Sequence, residues 1–211
     1  ADQVRTASAL IRARGFSLGL QMMTGLYGDT PEGAVKTAEE LAALHPDCVR
    51  IYPAIVLKGT KLGEWFLEGR YKPPSLEETV ALCADLLNFF EKRGIPVIRL
   101  GLHASPELER DRLAGPWHPA FRELCESRRI RDWIFRALAN EKVPKGKITV
   151  LVHPSGVSAA VGQKKSNLKT LSALGYHTVV KQDPSVRRGK IQLYDSEGNR
   201  IAAEVAGTAG I

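Results

Sequence analysis

The sequence predicts an α/β fold over residues 1–140 and a smaller α+β unit over 141–211. Three observations carry this. Strand-like and helix-like stretches alternate from Ser17 to Leu102 at the spacing of βα units. The run Gly15-Phe-Ser-Leu-Gly-Leu-Gln-Met-Met-Thr-Gly-Leu-Tyr-Gly-Asp-Thr30 is an apolar strand that closes in a Gly-rich turn and feeds a helix at Pro31. Beyond the linker Glu141–Lys147 the order changes to strand, helix, helix, strand.

A helix is expected over Ala1–Arg14, with Val4, Ala7, Leu10 and Ile11 on one face. The chain opens inside that pattern, on Ala rather than Met, and is expected to be a truncated or processed piece. Ser17–Leu26 reads as the first strand. Thr30 caps a helix running to Leu44, with Pro31 at its first position. Cys48–Val56 is the second strand, and Pro53 marks a strand end or bulge. Lys61–Glu68 forms a short helix. Ser75 with Glu78 three residues on makes a capping box for a helix to about Lys92, stopped at Gly94. Ile95–Leu102 is the third strand, and this β-α-β-α-β order favours a parallel sheet. Pro106, Gly115, Pro116 and Pro119 make 105–120 a loop, followed by a helix from about Phe121 to Leu138. Later come a strand at Ile148–Val152, helices at Pro154–Val161 and Ser166–Leu174, and a strand at His177–Gln182. A hairpin pairs Lys190–Tyr194 with Asn199–Ala206.

At 211 residues and 44% hydrophobic content the chain can bury a substantial core. No uncharged apolar stretch approaches the ~20 residues that span a bilayer, and no basic-then-apolar leader opens the chain, so the expected address is cytoplasmic. Cys48, Cys83 and Cys125 are dispersed and set among apolar neighbours, a pattern for core filling rather than metal ligation. The formal charge of +7 is uneven. Arg128–Lys190 carries fourteen Lys or Arg against Asp132, Glu141 and Asp183, a net of +11, and the remainder sums to −4. A localised positive field is the usual footprint of a polyanion, most often nucleic acid.

Parallel strands present their C-terminal ends to ligands. The polar residues expected there are Gln21, Thr24 and Asp29, then Tyr52 and Lys58, then Arg99 and His103. At Gly25-Leu-Tyr-Gly28 the missing Cβ atoms permit close approach of a cofactor. His118, between Pro116 and Pro119, reads as a loop-packing histidine.

Gln21-Met-Met-Thr-Gly-Leu-Tyr-Gly-Asp-Thr30, Val49-Arg-Ile-Tyr-Pro53 and Lys58-Gly-Thr-Lys-Leu62 resemble the fifth and sixth strand regions of radical S-adenosylmethionine enzymes. The group resembled is the Elongator-subunit-3-like and coproporphyrinogen-dehydrogenase-like one. Ala114-Gly-Pro-Trp-His-Pro-Ala-Phe-Arg-Glu-Leu124 resembles the post-barrel segment of a bacterial subfamily of unassigned substrate. The resemblance implies the C-terminal βα units of a partial TIM-like barrel over 1–140. By position it implicates Gln21, Met23, Gly25, Tyr52 and Pro53 in binding S-adenosylmethionine. Tyr27 stands where the group usually has proline. The group's Cys-x3-Cys-x2-Cys motif, which ligates a [4Fe–4S] cluster, is absent from this sequence. The resemblance therefore places the cluster ligands in a missing N-terminal barrel portion, leaves no metal ligands in this chain, and implies that it is inert alone.

The run Ile148-Thr-Val-Leu-Val-His-Pro-Ser-Gly-Val-Ser-Ala-Ala-Val-Gly-Gln-Lys-Lys-Ser-Asn-Leu-Lys169 resembles a KH module. In such modules a Gly-x-x-Gly loop clamps single-stranded RNA phosphates ahead of a helix. The resemblance implicates Gly162, Gln163, Lys164, Lys165, Asn167 and Lys169 in RNA binding, with Lys165 in place of the second glycine. Lysines at a helix N-terminus oppose the helix dipole, which suits an anionic partner better than stability. The combined expectation is a portion of a radical S-adenosylmethionine iron–sulfur enzyme acting on RNA, tRNA-like, held by the KH-like module at 141–211. The rival expectations are a non-catalytic RNA-binding protein with a scaffold half-barrel, and a phosphate-handling α/β enzyme without iron.

Overall fold

The computed structural model describes residues 2–205 and has a mixed α/β fold in two compact units, one through Phe121 and one from Arg122. The first unit opens with α1 (Asp2–Ala13), β1 (Gly19–Thr24), α2 (Pro31–Ala42) and β2 (Cys48–Pro53). It continues with β3 (Val56–Leu57), α3 (Lys61–Leu67), α4 (Leu76–Glu91), β4 (Val97–Leu100), α5 (Pro106–Asp111) and β5 (Arg112–Ala114). Strands β1, β2 and β4 form a parallel sheet in that order, and β3 pairs antiparallel with β5.

Apolar residues on one side of the sheet and on α2 and α4 make the first core. Met22, Val49, Ile51, Val97 and Leu100 are buried together with Ala34, Ala38, Cys83, Leu87 and Phe90. The caps fix where the helices begin. Thr30 Oγ1 accepts from Gly33 N at 3.1 Å. Ser75 and Glu78 close the reciprocal box, Glu78 N donating to Ser75 Oγ at 3.2 Å and Ser75 N to Glu78 Oε2 at 2.8 Å.

Several expectations are corrected. β1, β2 and β4 are each shorter than the expected strands, and Pro53 closes β2, as expected of a strand end, separating it from β3. Residues 105–120 are not simply a loop. Ser105 accepts from Leu108 N at 3.1 Å and Pro106 occupies the first helical turn, so α5 forms on its cap without an apolar stripe. The helix expected at the start of the chain is present as α1, and its apolar face is uncovered among the described residues: Val4 and Leu10 are 45% and 54% exposed, and the buried residue of this helix is Ser8.

The second unit holds α6 (Phe121–Asn140) from its second residue on, β6 (Gly146–Val152), α7 (Val157–Val161), α8 (Ser166–Ala173), β7 (Tyr176–Gln182), β8 (Lys190–Tyr194) and β9 (Arg200–Val205). Its sheet runs β7-β6-β8-β9, with β6 and β7 parallel and the other pairs antiparallel. A 3₁₀ turn at Pro154–Gly156 replaces the first turn of the expected Pro154–Val161 helix. Ile130, Ile134 and Leu138 of α6 pack with Ile148, Val150, Leu171, Ile191 and Leu193 in one core. The packing therefore groups α6 with the C-terminal sheet, whereas the sequence division at 140 keeps it with the N-terminal βα units. The expected hairpin is present, although Ala206, like Ala1, lies outside the described residues.

Replacing Ser75 by Ala removes the α4 cap and is expected to cost about 1 kcal/mol in urea unfolding. The Glu78 carboxyl is held below its ordinary range, chiefly by its bonds to Ser75. Its contribution is therefore present above the unfolded carboxylate pKa and is lost as the pH falls through the folded value, so the variant should also show a flatter acid dependence of stability.

Candidate functional site

Alternation along β1 turns Gln21 and Met23 away from the core, Met23 to 43% exposure, while Met22 and Thr24 are buried. Register partners in neighbouring strands share a face. Parallel pairing sets Met23 beside Tyr52 and Gln21 beside Arg50, and then Arg50 beside Arg99. The structure thus brings Gln21, Met23 and Tyr52 onto one open face and adds two guanidinium groups to it. Such a face can receive a molecule that is part flat ring and part carboxylate. Pro53 goes the other way, buried and paired with Thr24.

Gly25 shapes the adjoining turn. Its φ of +75° is left-handed, and an added Cβ would meet Pro74 Cγ at 3.0 Å. Asp29 ties the turn together, accepting from Gly25 N at 2.8 Å and from Thr30 N at 2.9 Å. The Tyr71 hydroxyl donates to the Gly25 carbonyl. Burial, then the Asp29 charge, push the Tyr71 phenol up, which keeps it protonated as a donor. Tyr27 leans on Trp65 at 4.7 Å between ring centroids and lies 6.5 Å from Tyr71. His118 Nδ1 accepts from Ala120 N at 3.0 Å within its own loop. Among the described residues no group of three or more His, Cys, Asp and Glu could hold a metal ion. Cys83 and Cys125 are buried and Cys48 is half-buried.

The second candidate locus is the turn between α7 and α8. Gly162 has φ +77°, and a Cβ there would meet Ser166 Oγ at 2.5 Å and Asn167 N at 2.9 Å. Lys164 and Lys165 both adopt left-handed φ, 51° and 62°. Lys165 thus holds a conformation that glycine normally supplies, at a cost of about 1–3 kcal/mol for each such residue. Lys165 N donates back to the Gly162 carbonyl at 2.9 Å. Gln163, Lys164, Lys165 and Lys169 are exposed, and none of the three lysines has an acidic partner among the described residues. Asn167 is 2% exposed. The two N–H donors of its amide are shared among the Ser127 carbonyl and hydroxyl, at 3.0 Å each, and the Ala159 and Ala160 carbonyls, at 3.2 Å. Asn167 therefore fixes the turn from inside, and the exposed contacts of the turn fall to its neighbours.

Sequence reasoning missed Arg50, Trp65, Arg70, Tyr71 and Lys72. Arg50 was findable, because alternation in Cys48–Pro53 puts it on the side of Tyr52. The aromatic group was not, because Tyr27, Trp65 and Tyr71 meet only through the tertiary fold.

Asn167→Ala strips the donor from four buried acceptors and is expected to destabilise the second unit by about 1–3 kcal/mol. Gly162→Ala adds a clash to a left-handed φ and should cost more than about 1 kcal/mol, both read by chemical denaturation.

Residues 46–131, from the approach to β2 into α6, match the Radical_SAM C-terminal domain. The chain is 34% identical over 88 residues to a tRNA uridine(34) acetyltransferase of Dehalococcoides mccartyi, covering 40% of this chain and 19% of that protein. It is 33% identical over 81 residues to one of Methanocaldococcus jannaschii, covering 37% of this chain and 15% of that protein. The chain thus spans under a fifth of the length of these curated relatives. The solved structure of archaeal Methanocaldococcus infernus Elp3 with an N-terminal deletion superposes with TM-score 0.49 at 20% identity, over 68% of this chain and 31% of that one. The chain is thus similar to the Radical_SAM C-terminal domain over residues 46–131, under half of its length, and to tRNA uridine(34) acetyltransferases over stretches of 88 and 81 residues.

Proposed function

We propose that this chain is a portion of a radical S-adenosylmethionine enzyme that modifies RNA, with tRNA as the substrate class. In this reading the first unit contributes the C-terminal βα units of a TIM-like barrel, and the Gly162–Lys169 region works as a KH-like RNA clamp. The relatives named for acting on tRNA uridine support the substrate class. Gln21, Met23 and Tyr52, with the Gly25 turn, take the cofactor's nucleoside, and Arg50 and Arg99 attract its carboxylate. Pro53 ends the strand that presents Tyr52. The [4Fe–4S] cluster is held by a preceding barrel segment, and when bound with S-adenosylmethionine it supplies the radical. The residues of this chain bind and orient, and the chain alone is inactive. The protein works in the cytoplasm, in keeping with the absence of any helix long and apolar enough to cross a membrane among the described residues.

The observation that carries the RNA reading is the turn at Gly162–Lys165. Two consecutive lysines accept left-handed strain at the start of α8, where their charges oppose the helix dipole. Neither effect favours stability, and a phosphate backbone compensates for both.

Fluorescence anisotropy of the chain with single-stranded RNA and with tRNA, across a salt series, tests this. Binding should weaken steeply with salt, and Lys164→Ala with Lys165→Ala should lower the salt slope by about one for each phosphate no longer neutralised. Lys165→Gly should stabilise the fold by about 1 kcal/mol through relief of strain while weakening RNA binding. RNA affinity that ignores both changes would sink the clamp. In protein carrying its cluster, Tyr52→Ala should weaken S-adenosylmethionine binding in equilibrium dialysis without altering RNA affinity. Tight RNA binding with no cofactor bound under those conditions would favour a scaffold half-barrel.

A further inference from the structure

A cavity of about 1000 Å³ opens beside the β1–α2 turn, bounded by Thr24, Tyr27, Arg70, Tyr71, Lys72 and Pro74. It belongs to the helix side of the sheet. Thr24, whose side chain shares the buried face with Met22, lines it, as do Ser75 and Thr79 at the start of α4. Gln21, Met23 and Tyr52, which point from the opposite face, do not. The cavity is therefore separate from the cofactor face, although the two share the Gly25 turn.

Three features of the lining define its ligand. First, Thr24 is 1% exposed and its Oγ1 has no hydrogen-bond partner among the described residues. A buried hydroxyl left unpaired is unfavourable, and a polar ligand atom reaching it removes that cost. Second, the electrostatics favour an anion. The N-terminal ends of α2 and α4 both border the cavity, and Lys72 makes no salt bridge among the described residues, its charge acting on Glu78 only at longer range. Arg70 makes an exposed pair with Glu68 at 3.3 Å and lies 5.4 Å from the Trp65 ring centroid. The two carboxylates in the lining are already engaged: Asp29 by Gly25 N and Thr30 N, and Glu78 by Ser75 N. Third, Tyr27 is 51% exposed and backed by Trp65 and Tyr71, so its ring is held in place while remaining accessible.

A backed, accessible aromatic ring beside two cations is the arrangement that receives a single nucleotide, since bases stack on the ring and the phosphate seeks the cations. Its size suits such a ligand. A sulfonium compound such as S-adenosylmethionine fits less well, because its positive centre would meet Lys72, Arg70 and two helix N-termini.

We propose that this cavity takes one nucleotide of the RNA strand, with the base against Tyr27, the phosphate at Lys72 and Arg70, and the Thr24 hydroxyl meeting a polar edge of the base or ribose. The substrate class rests on the RNA reading above, but the site is built from different residues, so the two can fail separately.

The experiment titrates adenosine and uridine 5′-monophosphates, the corresponding nucleosides, inorganic phosphate and S-adenosylmethionine into the full 211-residue chain. Binding is followed by calorimetry, with single-stranded RNA affinity measured in parallel. A nucleotide should bind at least tenfold better than its nucleoside or phosphate alone. Tyr27→Ala should weaken both nucleotide and RNA binding at least fivefold, Tyr27→Phe should restore them, and Lys72→Ala should weaken them while reducing salt dependence. Lys72 is exposed, and Tyr27→Phe keeps the ring against Trp65, so thermal unfolding of each variant measured alongside separates loss of the ring from loss of the fold. Lys164→Ala with Lys165→Ala should leave mononucleotide binding unchanged. If RNA binds through the lysine turn while Tyr27→Ala alters neither measurement, the cavity proposal falls and the RNA reading stands. If mononucleotides bind in a Tyr27-dependent way but RNA does not bind, the cavity is a site for a free nucleotide, and both its assignment to the RNA strand and that reading fall. Preferential, Tyr27-dependent binding of S-adenosylmethionine overturns the proposal.

Discussion

Burial of only one face of the parallel sheet β1–β2–β4 governs the chemistry of the first unit. Met22, Thr24, Val49 and Ile51 are committed to the core beneath α2 and α4, so Gln21, Met23, Arg50 and Tyr52 must point outward. A slip of one residue would exchange the two sets and bury an arginine. The step in the β2–β4 pairing, from Val49 with Val97 to Arg50 with Arg99, adds the second guanidinium to the same face. The caps at Thr30 and Ser75 fix the starts of the two helices that hold this register in place.

The same constraint explains why the Gly25 turn serves two sides at once. Thr24 is the last strand residue facing the helices, and immediately after it the chain must leave the sheet and enter α2. Asp29 holds that exit by bonding both ends of the turn, and the Tyr71 hydroxyl holds it from the segment before α4. Tyr27 stands where the resembled group has proline. It exchanges backbone stiffness for a side chain that packs on Trp65, and the turn is braced by tertiary contacts rather than by its own φ preference.

In the second unit the corresponding restraint is a single amide. Asn167 reaches carbonyls on α6 and α7 and so ties the start of α8 to both. A side chain with four acceptors around it and almost no exposure leaves the turn little freedom, and this holds Lys164 and Lys165 in conformations that non-glycine residues avoid. Gly162 is needed for the same reason, because neighbouring atoms of Ser166 and Asn167 occupy the space of a side chain. The basic surface is consequently not uniform. The α6 arginines 122, 128 and 131 are matched with Glu126 and Asp132, while the lysines of the turn stand without acidic partners among the described residues.

The sequence alone determined the features that local rules control. Thr30, Ser75 with Glu78, and Gly94 set helix limits through caps whose geometry depends on residues three or four positions apart, and alternation in β1 and β2 set which side chains face out. It also carried the family resemblance in Gln21–Thr30, ahead of the matched domain at 46–131. Where an apolar stripe was missing, as at Ser105–Asp111, a capped helix passed for a loop. Only the tertiary structure decided the features that depend on distant residues meeting. It joined α6 to the second core, turned Asn167 inward, set Arg50 beside Arg99, and assembled Tyr27, Trp65 and Tyr71 beside a buried, unpaired Thr24 hydroxyl. Those contacts link positions tens of residues apart, and no local preference encodes them, because the free energy that selects them comes from burial shared across the whole unit.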